Sequence, residues 1–267
     1  MLLKGPEGRV RASLSLGKDF VELERRGSLL TLPDGREIDL EAVAGEMREG
    51  YVYALEGDAL RAVAFYRGEL YYRLLPVGPY EAPTLEISGI RMHRTEGITP
   101  WRDAELKVRA LGRLRGREVL DICTGLGYTA IHALLRGAAG VLTIEKDPNV
   151  LEIASYNPWS HDLASERIEV VLADAAEYVS ELDSSSFDAI IHDPPRLARA
   201  GELYSTEFYR ELYRVLRRGG RLFHYTGKPG YKVRGIHLMG SIAGRLKAVG
   251  FKVQVREDLL GVLAQKL

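Results

Sequence analysis

The fold is decided by Val119-Leu120-Asp121-Ile122-Cys123-Thr124-Gly125-Leu126-Gly127-Tyr128. Val119 to Ile122 read as a buried strand, and Gly125 and Gly127 let the backbone turn sharply and approach a ligand at the start of a helix beginning near Tyr128. The loop reads G-x-G-x-x-A through Ala130, and Glu145 lies twenty residues beyond Gly125. That spacing also satisfies a dinucleotide-binding fingerprint. Asp121 separates the two readings. A carboxylate at the strand end, four residues before the first glycine, repels a pyrophosphate. It suits a ligand that carries an ammonium group and a sulfonium.

Outward from this stretch, strands and helices alternate. Thr99-Pro100 predicts an N-cap with proline at the first helical position, opening a helix to about Gly112. Strands are predicted at 118–122, 140–145, 168–172, 187–192 and 221–225, and helices at 128–136, 149–157, 175–182, 207–217 and 235–249. Such alternation implies a parallel sheet wound by helices on both faces. Strands at 251–256 and 262–266 are joined by a short turn and must be antiparallel to each other. The fold class is therefore α/β, a doubly wound and mostly parallel seven-stranded sheet spanning residues 98–267. Residues 1–95 read instead as a small β-rich N-terminal domain, with strands at 10–16, 20–24, 29–32, 62–66, 70–75 and 85–92 and one helix at 40–48.

The chain has 267 residues, with 37 Lys+Arg against 37 Asp+Glu, 46% apolar residues and one cysteine. The apolar fraction is ample for a packed core. One cysteine excludes a disulfide framework and a paired-cysteine zinc site and fits a reducing cytoplasm. No apolar run approaches the roughly 20 residues needed to span a bilayer, and the first dozen residues do not read as a signal peptide. The six histidines show no metal-ligand spacing, so no metal site is expected. Arg outnumbers Lys 28 to 9 and Asn+Gln total four, a composition expected of a thermophile. Zero net charge conceals an asymmetry: residues 99–195 are net −7 and residues 196–256 are net +11. The basic stretch is expected to form one surface for a polyanion.

The strand ends carry a family resemblance. Asp121 with its G-x-G loop resembles motif I of class I S-adenosylmethionine-dependent methyltransferases. The likeness continues through Ile144-Glu145-Lys146-Asp147, Leu172-Ala173-Asp174-Ala175, Ile191-His192-Asp193-Pro194-Pro195 and the Arg218-Gly219-Gly220 turn. It implies S-adenosylmethionine held by Asp121, Thr124, Gly125, Gly127, Glu145, Lys146, Asp174, Ala175 and Asp193, with Glu145 toward the ribose hydroxyls and Asp174 toward the adenine amine. Asp193-Pro194-Pro195 resembles the D-P-P signature of enzymes that methylate exocyclic amino groups of bases. It implies Asp193 as hydrogen-bond acceptor and the Pro194 carbonyl as its partner in catalysis.

Arg196 stands where that signature usually has an aromatic residue, so Tyr204 or Tyr209 is the candidate ring. Arg196, Tyr204, Lys228 and Lys232 are the expected substrate contacts. The whole chain resembles small, mainly archaeal predicted methyltransferases with an N-terminal β domain and a D-P-P-R segment. The expected reaction is methyl transfer to a base of structured RNA, tRNA or rRNA, by a cytoplasmic enzyme. The N-terminal domain is expected to recognise substrate, to pack, or to form a homodimer. The alternatives are an aminopropyltransferase of the spermidine-synthase type, a small-molecule methyltransferase, and a binding module without chemistry. Cys123 reads as a small core residue.

Overall fold

Val119 and Leu120 are neighbours on one strand and point to opposite faces, and each face has its own core. Their strand, β1 (Glu118–Ile122), lies within a sheet completed by β2 (Gly140–Glu145), β3 (Ile168–Leu172), β4 (Phe187–His192), β5 (Leu216–Tyr225), β6 (Phe251–Arg256) and β7 (Gly261–Lys266). The order is 3-2-1-4-5-7-6. β1 to β5 pair in parallel, and β7 is antiparallel to both β5 and β6. The computed structural model describes residues 7–57, 59–197, 200–227, 232–233 and 236–267, with 232–233 and 236–237 described by backbone alone. Arg199, Lys228, Tyr231, Arg234 and the Lys232 side chain lie outside the described residues.

Helices cover both faces. On one, Leu120, Ile122, Ile190 and Leu222 pack with Val179 of α4 (Ala175–Glu181), Phe208 and Leu212 of α5 (Thr206–Val215), and Ile242 and Leu246 of α6 (Leu238–Val249). On the other, Val119, Val141, Ala189, Ile191 and Phe223 pack with Val108 of α1 (Pro100–Ala110) and Ile131 and Leu134 of α2 (Tyr128–Leu135). Burying such side chains stabilises the sheet by roughly 1.5–3 kcal/mol each. α3 (Pro148–Ser155) follows β2.

Two predicted boundaries shift. β5 begins at Leu216, five residues before the predicted start. Phe187 pairs with Leu216 but Ala189 pairs with Arg221, so β5 bulges at Gly219-Gly220, where Gly219 has φ 82°. The helix predicted from residue 235 starts at Leu238, after two short paired strands, Lys232–Val233 and Ile236–His237.

By its contacts the chain forms two compact units, Met1–Pro100 with Glu152–His161, and Trp101–Leu151 with Asp162–Leu267. The first contains an antiparallel sheet of Gly8–Ala12, Val21–Arg26, Leu29–Thr31 and Glu37–Asp39 around Val10, Ala12, Leu23 and Leu30. Asp39 caps the helix Leu40–Glu46 by accepting from the Glu41 N–H. Tyr53–Glu56 pairs with Ala59–Ala62, and a second antiparallel sheet holds Ala64–Arg67, Leu70–Leu75, Thr84–Ile87 and Ile90–Arg91.

The single strand predicted at 85–92 is a hairpin. Ser88 (φ 49°) and Gly89 (φ 81°) both take left-handed backbone, which reverses the chain in a two-residue turn. Glu152–His161 is anchored within this first unit. Pro158 C=O accepts from Lys18 Nζ at 3.0 Å, Trp159 Nε1 donates to Leu16 C=O at 3.2 Å, and Glu152 pairs with Arg67 at 3.0 Å.

Candidate functional site

The parallel strands β1 to β4 end at one edge, and the carboxylates of the motifs gather there. Asp121 is fully buried, and Thr143 on β2 donates to its Oδ2 at 2.7 Å. Its Oδ1 has no partner among the described residues. Burial pushes the Asp121 carboxyl up to about 7, against the pull of the Thr143 and Thr129 hydroxyls, and the charges of Asp193 and Glu145 push the same way.

The glycine loop is pinned to β2, since Ile144 C=O accepts from the N–H groups of both Cys123 and Thr124 at 3.0 Å. Cys123, Gly125 and Gly127 all have positive φ, 72°, 55° and 75°. A Cβ on Gly127 would lie 2.5 Å from Leu163, whereas one on Gly125 would meet nothing within 4 Å. Gly127 thus combines a left-handed backbone with a close approach to the Leu163 side chain, and Gly125 faces open space. The Thr124 hydroxyl turns inward to Thr143 Oγ1, 2.6 Å away, and the side chain is buried. Thr124 therefore offers its backbone, not its hydroxyl, to the loop's outer side. Cys123 packs half-buried against the core, as expected, with its backbone in the left-handed region; burial raises its pKa well above the usual range, which keeps it protonated.

Glu145 is held by three backbone donors. Oε2 accepts from Gly125 N–H at 3.0 Å, and Oε1 from Lys146 and Asp147 N–H at 3.0 and 3.1 Å. Burial raises its pKa and these bonds oppose the rise. Asp174 caps α4 by accepting from Ala176 N–H at 2.9 Å, and its other oxygen lies 3.3 Å from Lys146 Nζ. Lys146 thus pairs across the edge with Asp174, and Ala175 is buried behind it.

Asp193 follows β4, with its N–H on Ile122 C=O. Its Oδ2 lies 2.6 Å from Lys107 Nζ, which also lies 2.9 Å from Asp103 Oδ2 and 3.9 Å from the Tyr225 ring centroid. Lys107 and Asp103 are almost fully buried. Burial alone lowers a lysine's pKa, but Asp193 and Asp103 overcome it and raise Lys107 above its ordinary value. Neither Asp103 nor Lys107 was among the expected site residues. Their signal is an i,i+4 charged pair on the same helical face as buried Ala104 and Val108.

Behind the Asp-Pro-Pro turn lies a buried aromatic cluster. His192 and His224 are register partners with ring centroids 4.3 Å apart. His192 Nε2 lies 3.0 Å from Leu203 C=O and His224 Nε2 lies 2.9 Å from the Tyr209 hydroxyl. Burial lowers His192 to about 4 and takes His224 well below its ordinary value, so both rings are neutral. Tyr204, expected as a substrate contact, is 2% exposed and donates its hydroxyl to Pro195 C=O at 2.8 Å. Tyr209 is fully buried. Tyr204 braces the turn from within, Tyr209 supports His224 behind it, and neither ring has a free face for a base. Pro194 is buried, and Arg196 is exposed beside it.

Several of the described arginines of the basic stretch serve the fold. Arg214 binds the Val179, Ser180 and Leu182 carbonyls at the end of α4, Arg217 pairs with Asp188, Arg245 donates to Tyr204 C=O, and Arg256 pairs with Asp258. Arg218 and Arg221 lie at the opposite end of the sheet. There, with Arg113 and Arg117, they line a cavity of about 300 Å³. Among the described residues no group of three His, Cys, Asp or Glu gathers as metal ligands, and no helix is long and apolar enough to cross a membrane.

The strand order and the carboxylates at successive strand ends define a class I methyltransferase-like fold. Two spermidine synthase structures share it. One, titled as a complex with the transition state analogue AdoDATO, has a TM-score of 0.63 at 20% identity over 83% of each chain. The other, from Thermotoga maritima, has a TM-score of 0.61 at 19% identity, covering 83% of this chain and 82% of that one. A family described as Conserved hypothetical protein 95 matches residues 105–212. The chain belongs to the same family as the uncharacterized protein MJ1233 of Methanocaldococcus jannaschii, an archaeal thermophile. The two are 45% identical over 253 residues, 93% of this chain and 85% of that protein.

Proposed function

We propose that this chain is a methyltransferase that uses S-adenosylmethionine and acts on a base of structured RNA. The observation that carries the cofactor reading is Asp121. A buried carboxyl with pKa near 7 and a partnerless Oδ1 gains most from a cation placed beside it. The open space at Gly125 leaves room for that ligand, and Glu145 and Asp174 add acceptors on the next two strands. The solved spermidine synthase complex with AdoDATO supports a ligand related to S-adenosylmethionine.

When bound, the cofactor supplies a methyl group already activated on a sulfonium. The chain's own work is then positioning. Asp193 presents Oδ1 to an N–H of the acceptor, because Oδ2 is taken by Lys107. The Pro194 carbonyl is the second acceptor, and Tyr204, by holding Pro195, keeps the turn rigid. Arg196 is free to meet a phosphate or stack on a base. Lys228 and Lys232 belong to the same reading as substrate contacts.

The test is transfer of labelled methyl from S-adenosylmethionine to RNA, protein and small-molecule fractions. Label in RNA, lost in Asp193→Ala, is expected. Label confined to protein or small molecules defeats the RNA reading, and full activity in Asp193→Ala removes the role of that carboxylate.

A further inference from the structure

We infer that Lys107 determines which acceptors the site takes: its ammonium occupies the Asp193 carboxylate from behind, so the site accepts an uncharged nitrogen and refuses a protonated amine. The inference rests on the placement of methyl transfer at Asp193.

An ammonium has three donors and no acceptor. Here one meets Asp193 at 2.6 Å, one meets Asp103 at 2.9 Å, and the group stands 3.9 Å from the centroid of the Tyr225 ring. The Lys107 side chain is 4% exposed while Asp193 is 21% exposed. The lysine is therefore inside and the carboxylate faces the edge. Asp193 and Asp103 raise Lys107 above its ordinary value, so it stays an ammonium and serves neither as base nor as nucleophile.

The charges of this group then sum to −1, two carboxylates against one ammonium. A sulfonium beside Asp193 brings the sum to zero. A neutral acceptor such as the amino group of a base leaves it there and gives an N–H to Oδ1. A protonated di- or polyamine would add a second cation on the carboxylate that Lys107 already occupies, and like charges repel. A carboxylate free of Lys107 would instead be a natural holder of such an amine. One buried lysine thus separates base methylation from transfer to a polyamine on the same fold.

The experiment compares the wild type with Lys107→Met. Each is assayed for methyl transfer to RNA and to nucleosides, and for binding of 1,4-diaminobutane by calorimetry in the presence of S-adenosylmethionine. The wild type is expected to show no saturable diamine binding. Lys107→Met is expected to bind the diamine at least about tenfold more tightly, and to lose about a hundredfold in kcat on RNA with KM and cofactor affinity little changed. Lys107→Arg should recover part of the kcat, since it restores the charge.

Loss of the ammonium beside the buried Asp103 carboxylate can unfold the single variant. Asp103→Asn/Lys107→Met removes one charge of each sign, and the same diamine gain is expected from it. Wild-type binding of the diamine, or variants equal to wild type on every acceptor, overturns the inference. A wild type that ignores RNA but methylates another uncharged acceptor defeats the RNA reading and supports this one.

Discussion

Thr143 donates its hydroxyl proton to Asp121 Oδ2 across 2.7 Å, and Thr124 Oγ1 lies 2.6 Å from the same Thr143 oxygen. A hydroxyl has one proton to give, so Thr124 donates to Thr143 and the three side chains form a directed chain ending on Asp121. The chain stabilises the ionised carboxylate more than the acid. Thr143→Val should therefore cost more at pH 8 than at pH 5, about 1–3 kcal/mol at the higher value. Urea denaturation at the two pH values measures this, and an equal loss at both contradicts the directed chain.

Asp121 also makes cofactor affinity depend on pH. Its folded-state pKa is about 7, far above 3.8. The protonated form must lose its proton to face a cation, so binding strengthens as pH rises through 7. Affinity for S-adenosylmethionine should rise about tenfold from pH 6 to pH 8 and then level off. Asp121→Asn should bind more weakly and show no such rise. A flat wild-type profile in titration calorimetry counts against the assignment.

Protonation of the buried histidines works against the fold in acid. His192 is lowered to about 4 from 6.5, so the unfolded chain binds its proton more readily and stability falls as pH drops from 6.5 toward 4. Asp121 acts in the opposite sense, because its raised pKa makes the fold lose stability as pH climbs from about 4 to 7. Comparing wild type with His192→Asn cancels the Asp121 contribution. Between pH 7 and pH 5 the wild type should lose about 2 kcal/mol more than the variant. Chemical denaturation at the two pH values decides it, and parallel losses would show that His192 is not buried as a neutral ring.

Gly127 is held by two separate constraints, its φ of 75° and the 2.5 Å approach of Leu163 to any added Cβ. Gly127→Ala should lower stability by about 2–4 kcal/mol, combining backbone strain with overpacking. Adding Leu163→Ala should recover the contact part and not the strain. Melting temperatures of the single and double variants separate the two. A harmless Gly127→Ala would mean that the glycine loop has another shape.

Strand periodicity made much of this architecture legible. β1, β2, β3, β4 and β6 run over the residues predicted for them, because β1 to β4 are largely apolar stretches and β6 alternates Phe251, Val253 and Val255 with polar residues. Reading failed where the chain reverses or bulges without proline. Ser88-Gly89 breaks an otherwise apolar stretch, and the β5 bulge at Gly219-Gly220 has no counterpart in hydropathy. The motif carboxylates meet at one edge as the strand order requires. What stayed hidden is what lies behind them. Whether Lys107 is solvated or buried depends on which face α1 turns to the sheet, and the inward turn of Tyr204 and Thr124 depends on tertiary packing. The same holds for Arg214, a guanidinium on α5 that serves the carbonyls at the end of α4, a use that depends on how the two helices pack.

Glu152–His161 comes after two strands of the central sheet in the sequence, yet it clusters with residues 1–100. The first unit therefore cannot be completed in the order in which the chain is synthesised. When residue 100 leaves the ribosome, Lys18, Leu16 and Arg67 still lack Pro158, Trp159 and Glu152. Those partners arrive only after β1 and β2 have been made. N-terminal folding is thus interleaved with the start of the sheet instead of preceding it, an exception to the usual domain-by-domain order. A cut in the polypeptide near residue 100 would separate the first unit from its Glu152–His161 segment, which would stay on the fragment that carries the second.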